Sequence, residues 1–195
     1  KNKSSLFGWT VGMLPDRLKR TTTLLLPEGF SGTITTNTIT GNAQIDGVRA
    51  VSSVDMTATT GMMTVYNVQA ELGSFKVTTG SLTVDGCSFG KALSKATTGD
   101  DQLEVKNTTG KIILRRLELS TLEAGLTTGE ISLDAVDAGN ITLSATTGDL
   151  TGTLVGNIND YTIESSVTTG SSNLPGSFGS GERKLKAKTT TGDIN

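Results

Sequence analysis

The 195-residue chain carries 17 Lys and Arg against 19 Asp and Glu, a net charge of −2 with both signs scattered. That pattern lacks the basic stripe that nucleic acid or an anionic membrane surface would require. It has no His, which removes the commonest general base, the usual nucleophile triads and most zinc sites. Apolar residues make up only 34% and aromatics 4%, thin for a globular core, and no run of 18 apolar residues is present.

Residues 1–26 read as an N-terminal β cap, a hairpin with Trp9 in its small core and a basic turn at Arg17 to Arg20. The chain opens at Lys1 without an initiator Met, so a signal or anchor removed upstream is expected. Pro27-Glu28-Gly29 marks a turn, and residues 27–195 read as one repeat domain.

The tripeptide Thr-Thr-Gly governs that domain. It ends at Gly61, Gly80, Gly99, Gly110, Gly129, Gly148, Gly170 and Gly192, at intervals of 19, 19, 11, 19, 19, 22 and 22 residues. A period of about 20 residues marks a repeat architecture. Apolar residues alternate with polar ones on both sides, as in Leu122, Ala124 and Leu126 before Gly129, then Ile131 and Leu133 after it. Alternation of this kind belongs to strands with one face buried. The two runs are out of phase, so a straight strand would send them to opposite faces. Each Thr-Thr-Gly is therefore a bend that lets both runs fill one interior, and Gly suits it by adopting positive φ.

Stacked bends make a β-solenoid, an all-β fold with equivalent Thr residues in columns. A sandwich of short strands alternates similarly but gives no reason for a fixed tripeptide spacing. The 11-residue interval between Gly99 and Gly110 breaks the rhythm: either one coil skips its second corner, or both glycines belong to one enlarged coil. Mid-coil segments around Gly86, Arg115-Arg116 and Ala135 predict a second bend. Cys87 has no partner and is expected to be a small buried filler. Ser171 to Gly181 reads as a looser loop, and the chain stops three residues after Gly192 with no visible C-terminal cap. An open edge there would pair with another molecule or be covered by a preceding loop.

The blocks Thr127 to Ile131, Thr146 to Leu150 and Thr190 to Ile194 resemble the Thr/Ser-Gly-Asp-Ile units of a family of bacterial β-strand-repeat proteins described as adhesins. The entry Leu25-Leu26-Pro27-Glu28-Gly29 is also similar, and the resemblance spans residues 21–195. It implies a single-stranded right-handed β-helix, exported or attached outside the bacterial membrane. Family function is largely unassigned, and no catalytic residue carries over. Gly61, Gly80, Gly110 and Gly170 are followed by Met62, Ser81, Lys111 and Ser171 instead of an acid.

The leading functional expectation is a non-enzymatic extracytoplasmic scaffold with no cofactor, metal or catalytic residue. It would be secreted or envelope-attached and would contact a protein or glycan ligand at the cell surface, with no nucleic acid. Self-association through an uncapped C-terminal coil is a further expectation. The alternative is a carbohydrate-active β-helix, a lyase or hydrolase using carboxylates, with Asp100, Asp101, Glu104, Asp134 and Asp137 as candidates. No spacing places two of these a glycosidase distance apart, and no calcium loop is present. Ice binding by Thr columns is a weaker third reading, because here the Thr pairs sit at bends.

Overall fold

The computed structural model describes residues 23–27, 29–90 and 102–195. The expected cap hairpin (1–26) thus lies almost wholly outside the described residues, as do Gly99, Asp100 and Asp101. The strands are β1 (Thr33–Thr40), β2 (Ala43–Asp46), β3 (Val51–Thr60), β4 (Met63–Tyr66), β5 (Gln69–Asp85) and β6 (Ser88–Phe89). They continue with β7 (Gln102–Arg115), β8 (Glu118–Leu154), β9 (Tyr161–Thr169), β10 (Ser177–Phe178) and β11 (Arg183–Thr191). Every pairing is parallel except that of β10 with β9. Among the described residues there is no α-helix, only a 3-10 turn at Ile158–Asp160.

Parallel neighbours about 20 residues apart mean that each coil lies flat on the next, at the usual strand spacing of about 4.8 Å. The register holds the repeat in step: Thr40, Thr60, Thr79, Thr109 and Thr128 follow one another across four ladders. Gly80 pairs directly with Gly110. The chain between them thus advances the stack by one layer.

The burial pattern shows how a continuous strand encloses an interior. Within β8 the buried side chains are Leu119, then Leu122, Ala124 and Leu126, then Ile131 and Leu133, then Val136 and Ala138, then Ile141, Leu143 and Ala145, then Leu150. The alternation loses phase between each group, which requires a bend at each step. A coil thus has three bends: one at Thr-Thr-Gly, a second near Ala135, and a third near Ser120-Thr121 and Gly139-Asn140. The resulting β-solenoid-like stack has a narrow core in which Phe75 and Phe89 meet edge to face at 6.0 Å. Each such residue packs against the coil above and the coil below, so stability is carried by nearest neighbours along the stack.

The C-terminal end departs from sequential order. Strand β11 lies between β8 and β9: Leu185 pairs with Ile141 on one side and Ile163 on the other. The last strand of the chain is therefore an inner layer, not the exposed end. The outer layer is β9, and the Ser/Gly-rich segment that follows it turns back over it. There Ser177 and Phe178 pair with Glu164 and Ile163, and Ser165 bonds to the Leu174 and Pro175 carbonyls. This segment lacks the apolar alternation needed to build a coil side, so it serves as a cover. The loop and β10 thus lie along part of the outer edge of β9, near Ile163 to Ser165.

Because β11 supplies the parallel ladder along β9, deleting 183–195 should remove amide exchange protection from β9 while leaving β3 and β5 protected. Hydrogen exchange on the shortened chain checks this. Retained protection in β9 would show that it re-pairs with β8 and that insertion is dispensable.

Candidate functional site

The corner glycines form a continuous column. Their φ angles lie between +131° and +146° at Gly41, Gly61, Gly80, Gly110, Gly129, Gly148, Gly170 and Gly192. A Cβ at Gly80, Gly110, Gly129 or Gly148 would lie 1.7–1.8 Å from the carbonyl oxygen of the corner glycine in the preceding layer. Only a hydrogen fits in that gap. At the C-terminal end the same contact runs from Gly148 to Gly192 and from Gly192 to Gly170, at 2.2 and 2.1 Å. The order follows the inserted β11 and not the chain. The threonines before each glycine are exposed on the outside of the bend.

The residue after the glycine has its own task. Asn42 Oδ1 accepts the Met62 N–H at 3.0 Å, Asp149 Oδ1 accepts the Asp193 N–H at 2.9 Å, and Asp193 Oδ1 accepts the Ser171 N–H at 2.7 Å. The side chain after one corner thus holds the backbone after the next, which is a physical reason for an acid or amide following Thr-Thr-Gly. The Ser171 N–H and hydroxyl together hold the Asp193 carboxyl below its ordinary range. Where an acid is missing, Lys111 meets Glu130 at 2.8 Å across the coil, an exposed pair that contributes little.

Two buried polar side chains serve the same corners from within. Asn107 Nδ2 donates to the Gly80 carbonyl at 2.8 Å, and Thr189 Oγ1 donates to the Gly148 carbonyl at 2.9 Å. Both stand three residues before a corner glycine, where other coils have Ala58, Val77, Leu126 or Ala145.

The second bend takes positive φ at Gly47, Asn67, Gly86, Arg116 and Ala135. Side chains hold it: Asn67 Nδ2 donates to Asp46 Oδ1 at 3.1 Å, Arg116 pairs with Asp85 at 2.6 Å, and Thr153 Oγ1 accepts the Ala135 N–H at 3.1 Å. Behind this ridge Cys87 is buried, and desolvation pushes its thiol up to about 11. Such a thiol stays protonated and unreactive at neutral pH. A hollow of about 230 Å³ beside it is lined by Arg49, Gln69, Ser88, Arg116 and Glu118. It is small, open and of mixed charge.

The candidate acids are not brought together. Glu104 lies on the long outer side, in an ion pair with Lys106 whose ammonium it holds above the ordinary lysine range. Asp134 is exposed at the second bend. Asp137 is bound by Arg183, whose guanidinium also reaches the Val155 carbonyl at 2.8 Å and the Tyr161 hydroxyl at 2.9 Å. This latch fixes the start of β11 between its neighbours. Among the described residues no group of three or more His, Cys, Asp or Glu side chains could hold a metal ion.

Sequence reasoning missed one surface. Lys184, Lys186 and Lys188 alternate with the inward Leu185, Ala187 and Thr189, and so stand in one row on the outer face of β11. The signal was the alternating segment itself, but its significance depends on which strands flank it.

The family model described as Toastrack DUF4097 matches residues 2–195, and the chain belongs to that family, a domain of unknown function with a β-strand repeat fold. No curated protein and no solved structure matches the chain.

The corner column predicts unequal glycine costs. Gly129→Ala should destabilise by about 3 kcal/mol or more, because its methyl meets backbone. Gly47→Ala, at φ +70° with open space around it, should cost about 1 kcal/mol. Denaturant titration of both variants checks this, and equal losses would contradict it.

Asp193 sets a pH dependence. Its folded pKa is lowered, so its contribution is present above the unfolded carboxylate pKa of about 3.9 and is lost as pH falls through the folded value. Thermal melts should show Asp193→Asn below the parent chain at neutral pH, with the gap closing below about pH 4. A gap independent of pH would contradict it.

Proposed function

We propose that this member of the Toastrack family is a non-enzymatic scaffold working outside the cytoplasm, secreted or attached to the cell envelope. There it presents its outer faces to a protein or glycan ligand in the manner of an adhesin. In this reading the stack is a single-stranded right-handed β-helix closed at its N-terminal end by the hairpin of residues 1–26.

The observation that carries the reading is the division of labour within each coil. Inward positions and corner glycines are fixed by packing and by close backbone approach. Outward positions on the long side are free of that constraint, and apart from Lys76 and Lys106 they differ from coil to coil: Ser74 and Lys76, Glu104 and Lys106, Glu123 and Gly125, Thr142 and Ser144. A rigid frame with variable outward side chains suits recognition at a surface better than it suits chemistry.

The carbohydrate-active alternative gains no support from the geometry. Glu104 faces outward beside Lys106, and the Asp137 carboxylate is committed to Arg183. General acid–base work on a glycosidic bond needs two carboxyls facing one cleft, about 5–10 Å apart.

Incubating the chain with a panel of acidic and neutral polysaccharides and assaying new reducing ends and unsaturated products tests the reading. No turnover by the chain is expected. Turnover that disappears in Glu104→Gln or Asp137→Asn would overturn the non-enzymatic assignment.

A further inference from the structure

The outer face of β11 carries a row of three like charges in an acidic chain. Lys184, Lys186 and Lys188 are all exposed, and successive lysines stand about 6.6 Å apart along the strand. On the β8 side they are flanked in register by Asn140, Thr142 and Ser144. On the β9 side they are flanked by Thr162, Glu164 and Ser166. Glu164 is the one acid among these six neighbours, and it lies 3.6 Å from Lys186 with both side chains more than half exposed, so solvent screens the pair. The in-register neighbours of Lys184 and Lys188 carry only hydroxyl and amide groups.

From this arrangement we propose that the β11 row is a binding surface for a linear acidic polysaccharide, lying along the strand with its carboxylates on the three ammonium groups. The inference rests on the scaffold reading above and names its ligand class. Charge complementarity selects an anion, and the straight, evenly spaced row selects a linear one over a compact one. The flanking Asn, Thr and Ser side chains offer donors and acceptors to sugar hydroxyls.

No aromatic side chain stands in the row or among its in-register neighbours, so the base stacking that single-stranded nucleic acid needs is lacking. Nor does any apolar side chain there offer an anchor to a membrane. The frame is fixed in advance, because β11 is hydrogen-bonded on both edges and latched at Arg183. Little backbone ordering cost therefore opposes binding, and the remaining cost is that of holding the three lysine side chains.

The test is titration of the chain with an oligogalacturonate, with the carboxyl-reduced oligosaccharide, an oligothymidylate and anionic lipid vesicles as comparisons. Binding of the oligogalacturonate alone is expected, and affinity should fall with salt at a slope of about −2 to −3 for three contacts. Replacing all three lysines by serine should weaken it by at least about tenfold. Lys76→Ser with Lys106→Ser, on the same side of the stack, should leave it unchanged. If the triple variant does not fold, Lys188→Ser alone should lower the salt slope by about 1.

Unchanged affinity in the lysine variants, equal loss in the Lys76 and Lys106 variant, or equal binding of the carboxyl-reduced sugar would overturn the proposal. So would tighter binding of oligothymidylate or vesicles. Cleavage of the oligogalacturonate would overturn the non-enzymatic reading instead, while the lysine row would still stand or fall on the affinities.

Discussion

The structure depends on one close approach: the carbonyl oxygen of each corner glycine points at the Cα of the corner glycine in the next layer. A methyl group cannot enter that space, and the backbone there sits at a φ that other residues avoid. The constraint fixes where the chain bends and how each coil registers on its neighbour. Because the bend reverses the phase of the alternation, it also decides which side chains face the core. A change at one corner therefore acts on two coils at once.

The polar residues around the corners follow from the same geometry. With the glycine carbonyl occupied by its neighbour's Cα, the next N–H along the chain is met by an Asp or Asn side chain at three levels, through Asn42, Asp149 and Asp193. Inside the core, Asn107 and Thr189 reach the same carbonyls. Burial of these donors is tolerated because each donates to a corner carbonyl, whereas an unpaired buried donor would cost about 1–3 kcal/mol. The Thr-Gly-Asp unit is thus explained by backbone hydrogen bonding, without appeal to a carboxylate-binding role.

Much of this was legible in the sequence. The phase break across Thr-Thr-Gly is a local property, so the bend and the buried sets around Gly129 and Gly148 could be read from single coils. The second bend was visible in the segments containing Gly86, Arg116 and Ala135. The third bend was not, because Ser120-Thr121 and Gly139-Asn140 carry no residue that demands a special φ. Layer order was also hidden. Gly80 reaches Gly110 past a segment that carries its own Thr-Thr-Gly, and β11 slips between β8 and β9 although equal intervals of 22 residues suggest plain succession. Both are questions of long-range pairing, which a repeating tripeptide leaves open because every copy matches every other. The lysine row shares that ambiguity, since its hydroxyl-rich flanks exist only in the inserted order.

The account is tested most directly by contacts between α-protons of the corner glycines in a nuclear Overhauser spectrum of the folded chain. Adjacent layers place these protons within about 5 Å. Cross-peaks are predicted between Gly80 and Gly110, between Gly148 and Gly192, and between Gly192 and Gly170. A cross-peak linking Gly148 directly to Gly170, or none joining Gly80 to Gly110, would contradict it.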